Sequence, residues 1–359
     1  MDALEAREKM HYDPSVGEKT QPAWDAGWTA LLACPACEGS LSADQGSGLR
    51  CTRCARLFPV HDRVPVLLLD PTSRELKTQE LYGDIWDRHK PSPRQGGYRA
   101  PATSHIELLK LASGSELVQG SAGIDAGCGN GGGTLAMAAR HAGLRFIGVD
   151  LAGSLPRAAA KAQDRPNLRY VQGNLMQPPL ARHAFDFAYS FGVLHHTRDP
   201  YAAFRALLER LRPGGLITLF VYKDFSDLPL KRMLLAPVTL VRRVSTRMPA
   251  PWLRRIALWT APVVFITLTL PARLLRALRL GTLARHIPYG TFPGIRGIAA
   301  SLEDRFGAPY EHRFRIADLQ EWARAAGLEE ARIVDCLPWG FSGLVLSGRV
   351  PGAPPPATG

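Results

Sequence analysis

Between residues 121 and 222, short apolar runs alternate with amphipathic stretches. SAGIDAG (121–127) is a buried-strand pattern ending in glycines, and LRFIGVD (144–150) is a second ending in an acid. NLRYVQGN, FDFAYSF and GLITLFVY read as third, fourth and fifth strands. GTLAMAARHAG, SLPRAAAKAQ and PYAAFRALLERL, lying between them, have helical periodicity. This alternation predicts a parallel sheet with helices on both faces. Ligands of such sheets bind beyond the carboxyl ends of the strands, near the point where strand order reverses.

The pattern divides the rest of the chain. Residues 1–27 form a polar tail, 28–70 carry two cysteine pairs, and 71–120 hold a linker, loosest at KPSPRQGG, with two helices. After the alternating core (121–222) come a basic apolar stretch (223–302), a helix with two strands (303–350) and the tail PGAPPPATG (351–359). Tyr82 and Trp86 stand one helical turn apart, as a core stripe or as a cover over a ligand.

Composition is that of an ordinary soluble protein, 46% apolar and 21% charged over 359 residues. The first ten residues, MDALEAREKM, lack the apolar stretch of a secretory signal. Four of the six cysteines lie in C-x-x-C pairs, which favours metal over disulfides, so the expected compartment is the reducing cytosol. The net charge of +12 has one source: twelve Lys and Arg from Lys231 to Arg296, with no acid between Leu228 and Leu302. Basicity confined to one segment weakens a general nucleic-acid reading and favours a local anionic surface or substrate.

The turn after the first strand is Asp125-Ala126-Gly127-Cys128-Gly129-Asn130-Gly131. Glycines there permit positive φ and close approach of a ligand, and the following helix N-terminus offers free N–H groups. Asp150, at the end of the second strand, is placed to accept ribose hydroxyls. These features alone suit NAD equally well.

The ordered run GIDAGCGNGGG, GVD, VQGNL, FDFAYSFGVLHH and LRPGGLITL resembles the motif series of class I S-adenosylmethionine methyltransferases, type 11 branch, over about a hundred residues. The resemblance implies a Rossmann-like, seven-stranded, mostly parallel sheet of the α/β class with a small zinc module and a helical insertion. It implies that Gly127, Gly129 and Gly131 cradle the methionine end, with Asp125 either ordering the loop or touching the cofactor. Asp150 would bind the ribose and Leu151 the adenine, with Leu175 and Ser190 also bordering the cofactor. Asn174 stands where the family usually has an acid contacting the adenine amino group. Cys128, Cys336 and Asp186 read as packing or strand-start residues.

Methyl transfer is an in-line displacement, so the protein mainly positions the acceptor and accepts a proton. His195 and His196 follow the fourth strand and are the catalytic candidates, His195 first. The alternative is that they cap or pack. The Asn/Asp-Pro-Pro-aromatic turn of base-amino methylating enzymes is replaced here by Ser190-Phe191-Gly192-Val193.

Cys34, Cys37, Cys51 and Cys54 make two knuckles separated by thirteen residues, which suits a closed structural zinc site. The flanks LLACPACEGSL and LRCTRCARLFPVHDRVPVLL resemble the Trm112-like family, whose members activate methyltransferases by covering an apolar face. Fusion to the presumed client implies activation or substrate presentation in cis. A zinc-headed ribosomal RNA guanine methyltransferase is a rival comparison, but it uses a His ligand after a wider spacing.

Ile256–Ala272 is uncharged and flanked by Arg254, Arg255 and Arg273, at the lower length limit of a membrane span. Pro262 is expected to interrupt it, and strands on both sides that join one sheet forbid a single crossing. The choices are a lid over the acceptor or an interfacial patch on anionic lipid. The expected function is methyl transfer from S-adenosylmethionine to a small or lipid-like acceptor, with O-methylation as one form. The alternatives are an RNA or protein methyltransferase that recognises substrate through the zinc module, and a non-catalytic cofactor-binding scaffold. The expected setting is cytoplasmic, with peripheral membrane contact open.

Overall fold

The computed structural model describes residues 24–44, 48–88, 120–284, 286–290, 294–336 and 342–352. The second helix and the loose linker expected between 89 and 119, and most of both expected tails, lie outside the described residues.

The chain opens with α1 (Ala26–Thr29) and four short strands, β1 (Leu41–Ala43), β2 (Gly48–Cys51), β3 (Leu57–His61) and β4 (Val64–Leu67). Helix α2 (Ser73–Arg88) follows. It starts with a reciprocal cap: Thr72 N–H donates to Glu75 Oε2 at 2.8 Å, and Glu75 N–H donates to Thr72 Oγ1 at 3.3 Å. The alternating region then forms β5 (Ala122–Ala126), α3 (Gly132–Arg140), β6 (Arg145–Asp150), α4 (Leu155–Lys161), β7 (Leu168–Gly173), β8 (Phe185–Phe191), α5 (Pro200–Leu208) and β9 (Leu211–Tyr222). All five strands fall where their apolar runs predict, and β9 begins earlier, because Leu211 already pairs with Phe185 ahead of a register shift.

The insertion comprises α6 (Pro229–Ser245), α7 (Ala250–Val264), a π-helical turn (Phe265–Thr269), α8 (Leu270–Ala277), α9 (Gly281–Ala284) and α10 (Ile295–Gly307). The chain ends in α11 (Ile316–Ala325), β10 (Glu329–Asp335) and β11 (Gly343–Arg349). Helices α1 and α10 run through the expected boundaries at 27/28 and 302/303.

Seven strands in the order β7-β6-β5-β8-β9-β11-β10 make the expected sheet, all running the same way except β11, which is antiparallel to both its neighbours. The cysteine segment adds four more and completes an eleven-stranded sheet. Strand β4 pairs in parallel with β7, Val66 opposite Gln172 and Leu67 opposite Gly173. An uncovered β7 would expose a row of unpaired N–H and C=O groups, and β4 satisfies part of that edge. The two parts also share one hydrophobic core, in which Trp28, Leu32, Phe58 and Leu67 join Ile124, Val149, Val171 and Leu180. Outside that core, the Arg169 guanidinium lies 4.8 Å from the Trp28 ring centre.

One expectation about the insertion needs correction. Pro262 does not interrupt its helix, which runs unbroken from Ala250 to Ala277. The irregularity appears instead as the π turn, just ahead of Pro271, whose missing N–H cannot bond the preceding turn. Not all of the positive charge faces outward. Arg242 turns in, donating to the carbonyls of Arg305 and Ala308 and pairing with Glu311. One face of α7 (Ala257, Ala261) packs on Ile298, Ala299 and Leu302 of α10, and α10 in turn meets α2. The opposite side of the long helix carries exposed Trp252, Ile256, Trp259, Val263, Ile266, Leu270, Leu274 and Leu278.

Candidate active site and metal centre

Gly127, Gly129 and Gly131 have φ of 88°, 58° and 71°, the left-handed region that glycine enters freely. Each also lies against a neighbour. A Cβ would stand 2.2 Å from the Val193 side chain at Gly127 and 2.8 Å from the Trp86 indole at Gly129. At Gly131 it would stand 2.5 Å from Ala158 Cβ. Gly131 caps α3 without a side-chain hydrogen bond of its own, and Asn130 Oδ1 accepts from the first helical N–H, that of Gly132, at 3.1 Å. Thus the loop is held from below by β6 and α4, from one side by the Val193 turn, and from above by Trp86.

Asp150 closes the loop. Its Oδ2 accepts from Gly129 N–H and its Oδ1 from Ala152 N–H, both at 2.8 Å. A carboxylate offers about four acceptor positions, so two remain for hydroxyls. Burial pushes its carboxyl above the usual range, against those N–H donors. Asp125 is buried beneath, accepting from Thr134 Oγ1 at 2.6 Å and from the Tyr189 hydroxyl at 3.0 Å. Burial raises it to about 7, opposed by those two donors and assisted by Asp150. Asp125 therefore orders the loop through β8 and α3. Ser190 does similar work: fully buried, it donates to the Ala126 carbonyl at 2.7 Å and ties β8 to β5.

Leu151, Asn174 and Leu175 lie at the ends of β6 and β7, beside the loop. Asn174 is already engaged, accepting from Met176 N–H at 2.9 Å and donating to Glu75 Oε1 at 2.6 Å. Glu75 thus brings an acid from α2 to the place where the sequence lacks one. It was not foreseen, although the Thr72-Ser-Arg-Glu75 capping pattern marks its position. Three left-handed glycines and a carboxylate at the end of the second strand fit S-adenosylmethionine.

Beyond the Val193 turn, Leu194–His196 form a 3-10 turn at the end of β8. His195 is fully buried, with neither ring nitrogen hydrogen-bonded. Its ring centre is 3.8 Å from that of Tyr222 and 4.2 Å from that of His196. Burial, reinforced by His196, Arg313 and His312, holds its imidazole well below the ordinary value, so it is neutral. His196 Nδ1 meets the Tyr310 carbonyl at 2.8 Å, and its Nε2 faces Asp304 Oδ1 at 3.5 Å.

Asp304, on α10, is the centre of this cluster. Tyr82 donates to its Oδ1 at 2.7 Å and Tyr222 to its Oδ2 at 3.2 Å. Burial, then Asp304, pushes the Tyr82 hydroxyl far above its ordinary pKa. Neighbouring Glu303 holds Arg88 of α2, which also pairs with Asp84 at 2.7 Å. Glu311 accepts from Arg313 at 2.6 Å; burial opposes its charge, yet Arg313, Arg305 and Arg242 hold its carboxyl below the usual range. The two candidate histidines are therefore brought together with Tyr82, Tyr222 and Asp304. Tyr222, Asp304 and Glu311 were missed as site residues. A signal existed, since Glu303-Asp304 are the first acids after the acid-free segment.

The four candidate ligand sulfurs also converge, all within 4.8 Å of one another. Thiolates about 2.3 Å from a tetrahedral zinc stand about 3.8 Å apart. The Cys34–Cys54 and Cys37–Cys51 separations are 3.7 and 3.4 Å. Backbone N–H groups of Arg53 and Cys54 point at Cys51 Sγ at 3.4 and 3.5 Å. A Cβ on Gly39 would press on two of the sulfurs. Cys128 and Cys336 are buried in other apolar clusters and take no part.

Residues 124–219 match the methyltransferase-domain family, and residues 29–62 match the Trm112p-like protein family. A trans-aconitate 2-methyltransferase of Deinococcus radiodurans is 35% identical over 98 residues, 27% of this chain and 36% of that protein. A tRNA (carboxymethyluridine(34)-5-O)-methyltransferase of Saccharomyces cerevisiae is 33% identical over 153 residues, 41% of this chain and 49% of that protein. Alignments to the curated relatives take in 27% to 52% of their length. Among solved structures, a complex of the Haloferax volcanii Trm112 methyltransferase activator with a methyltransferase is 15% identical. It covers 79% of this chain and 100% of that one, with a TM-score of 0.43. Residues 124–219 thus carry a methyltransferase domain of the S-adenosylmethionine-dependent type 11 kind, and residues 29–62 a Trm112p-like module.

Proposed function

We propose that the protein transfers a methyl group from S-adenosylmethionine to a hydroxyl oxygen of a small or lipid-like acceptor. The observation that carries this reading is the buried His195 imidazole just after β8, with neither ring nitrogen hydrogen-bonded, one short turn from the residue that packs on Gly127. When bound, S-adenosylmethionine supplies an electrophilic methyl group on a sulfonium. The glycine loop and Asp150 hold it by backbone contact and ribose hydroxyls. His195 accepts the acceptor's hydroxyl proton at a ring nitrogen as the oxygen attacks. Asp304, through Tyr82 and Tyr222, fixes the aromatic walls and orients His196.

The four thiolates would hold a structural zinc ion, which would keep β1 to β4 in place along the edge of β7. That bracing gives the module a role without a nucleic-acid substrate. Labelled methyl transfer should be measured against hydroxyl-bearing lipid extracts and bulk tRNA in parallel. His195→Gln should lower the rate by about 10²–10⁴-fold, the usual yield of a general base, with S-adenosylhomocysteine affinity unchanged. Labelling of tRNA alone would install the RNA alternative; an unaltered rate in His195→Gln would remove the base.

A further inference from the structure

We propose that the insertion docks the protein on the surface of a bilayer rich in anionic lipid, with the helix from Ala250 to Ala277 lying in the plane of the interface. The outward apolar residues of this helix recur at spacings of three and four, from Trp252 through Ile256, Trp259, Val263 and Ile266 to Leu270, so they form one stripe. Trp259 is 82% exposed and Ile266 61%, an arrangement that water penalises and an acyl boundary rewards.

Charge selects the occupant. Arg254, Arg255 and Arg273 are exposed on the same helix, and the segment from Leu228 to Leu302 contains no acid. The Arg255 guanidinium lies 5.2 Å from the Trp252 ring centre and that of Arg273 5.3 Å from Phe265. Such pairs place cations at the rim of an apolar surface, where headgroup phosphates lie. A second copy docking through this face would set arginine against arginine. Nucleic acid would satisfy the arginines but leave the stripe in water.

The helix lies on the membrane rather than across it. Strands β9 and β11, before and after the insertion, pair directly, Leu219 opposite Leu346, so both ends return to one side. The inner face is already taken by α10. The same α10 carries Asp304 to the candidate site, so docking would bring that site near the bilayer. The docking proposal itself does not depend on which acceptor is methylated.

The test is flotation of the full chain with phosphatidylcholine vesicles, plain or doped with phosphatidylglycerol, alongside S-adenosylhomocysteine binding as a control for folding. Wild type should float with the doped vesicles and much less with plain ones. Trp259→Ser with Ile266→Ser should abolish flotation. Arg254→Gln, Arg255→Gln and Arg273→Gln together should weaken partitioning by about a hundredfold, at the usual contribution per basic residue. Cofactor binding should survive both sets. Wild type that stays at the bottom of the gradient, or floats equally well after both sets of substitutions, would overturn the proposal. So would stripe-dependent dimerisation or RNA binding without flotation. A failure to methylate lipid-like acceptors, with flotation intact, would count against the function proposed above and not against docking.

Discussion

The Tyr82 hydroxyl donates to Asp304 Oδ1 at 2.7 Å, joining α2 to α10 across 222 residues of sequence. With Tyr222 on the other oxygen, this carboxylate is the shared acceptor of two buried hydroxyls. Replacing it by Ala would strand both hydroxyls, each at a cost of about 1–3 kcal/mol. Asp304→Ala should therefore lose roughly 2–6 kcal/mol in urea denaturation, and Tyr82→Phe markedly less. Equal losses in the two variants would mean that Asp304 is not the centre of the network.

The zinc assignment predicts about one zinc per purified chain, from a closed site of four thiolates. Because β4 is hydrogen-bonded to β7 and the two parts share a core, metal loss should be felt beyond the module. Cys34→Ser with Cys51→Ser should abolish zinc in metal analysis and lower the unfolding temperature of the whole protein. Wild type folded without zinc would refute the assignment.

Asp125 gives a pH dependence with a definite sign. Its carboxyl is raised from 3.8 to about 7 in the folded protein, mainly by burial. The folded state therefore holds a proton that the unfolded state has released, and stability from this group falls as pH rises between about 4 and 7. Asp125→Asn is neutral throughout. Its stability relative to wild type should improve across that window, by at most about 4 kcal/mol for a shift of this size. A difference that stays flat with pH would show that Asp125 ionises normally.

The five core strands were legible because each is a short apolar run buried on both faces, and Asp186 reads as a strand-start residue for the same reason. It accepts from Ala122 N–H at 2.7 Å and from Arg212 at 2.6 Å, tying three strand starts together. The glycine loop was legible because backbone conformation there admits few residues. The joining of β4 to β7 was not, since edge pairing leaves no periodic mark on either strand. The Asp304 cluster was hidden for a related reason: its members come from α2, the 3-10 turn after β8, β9 and α10, and meet only through tertiary packing. Local sequence shows Arg242 as one more insertion arginine, while three-dimensional contacts turn it inward. Pro262 misled because the proline rule concerns one lost hydrogen bond, and a long helix packed on α10 tolerates that loss.

The central claim, that the glycine loop and Asp150 form an S-adenosylmethionine site, is tested most directly by calorimetry with S-adenosylhomocysteine. Wild type should bind, and Asp150→Ala should weaken binding by about 1.5–3 kcal/mol, the range for hydrogen bonds to a charged group. Circular dichroism should show both proteins folded. Binding of NAD in place of S-adenosylhomocysteine, or an affinity indifferent to Asp150, would contradict the account.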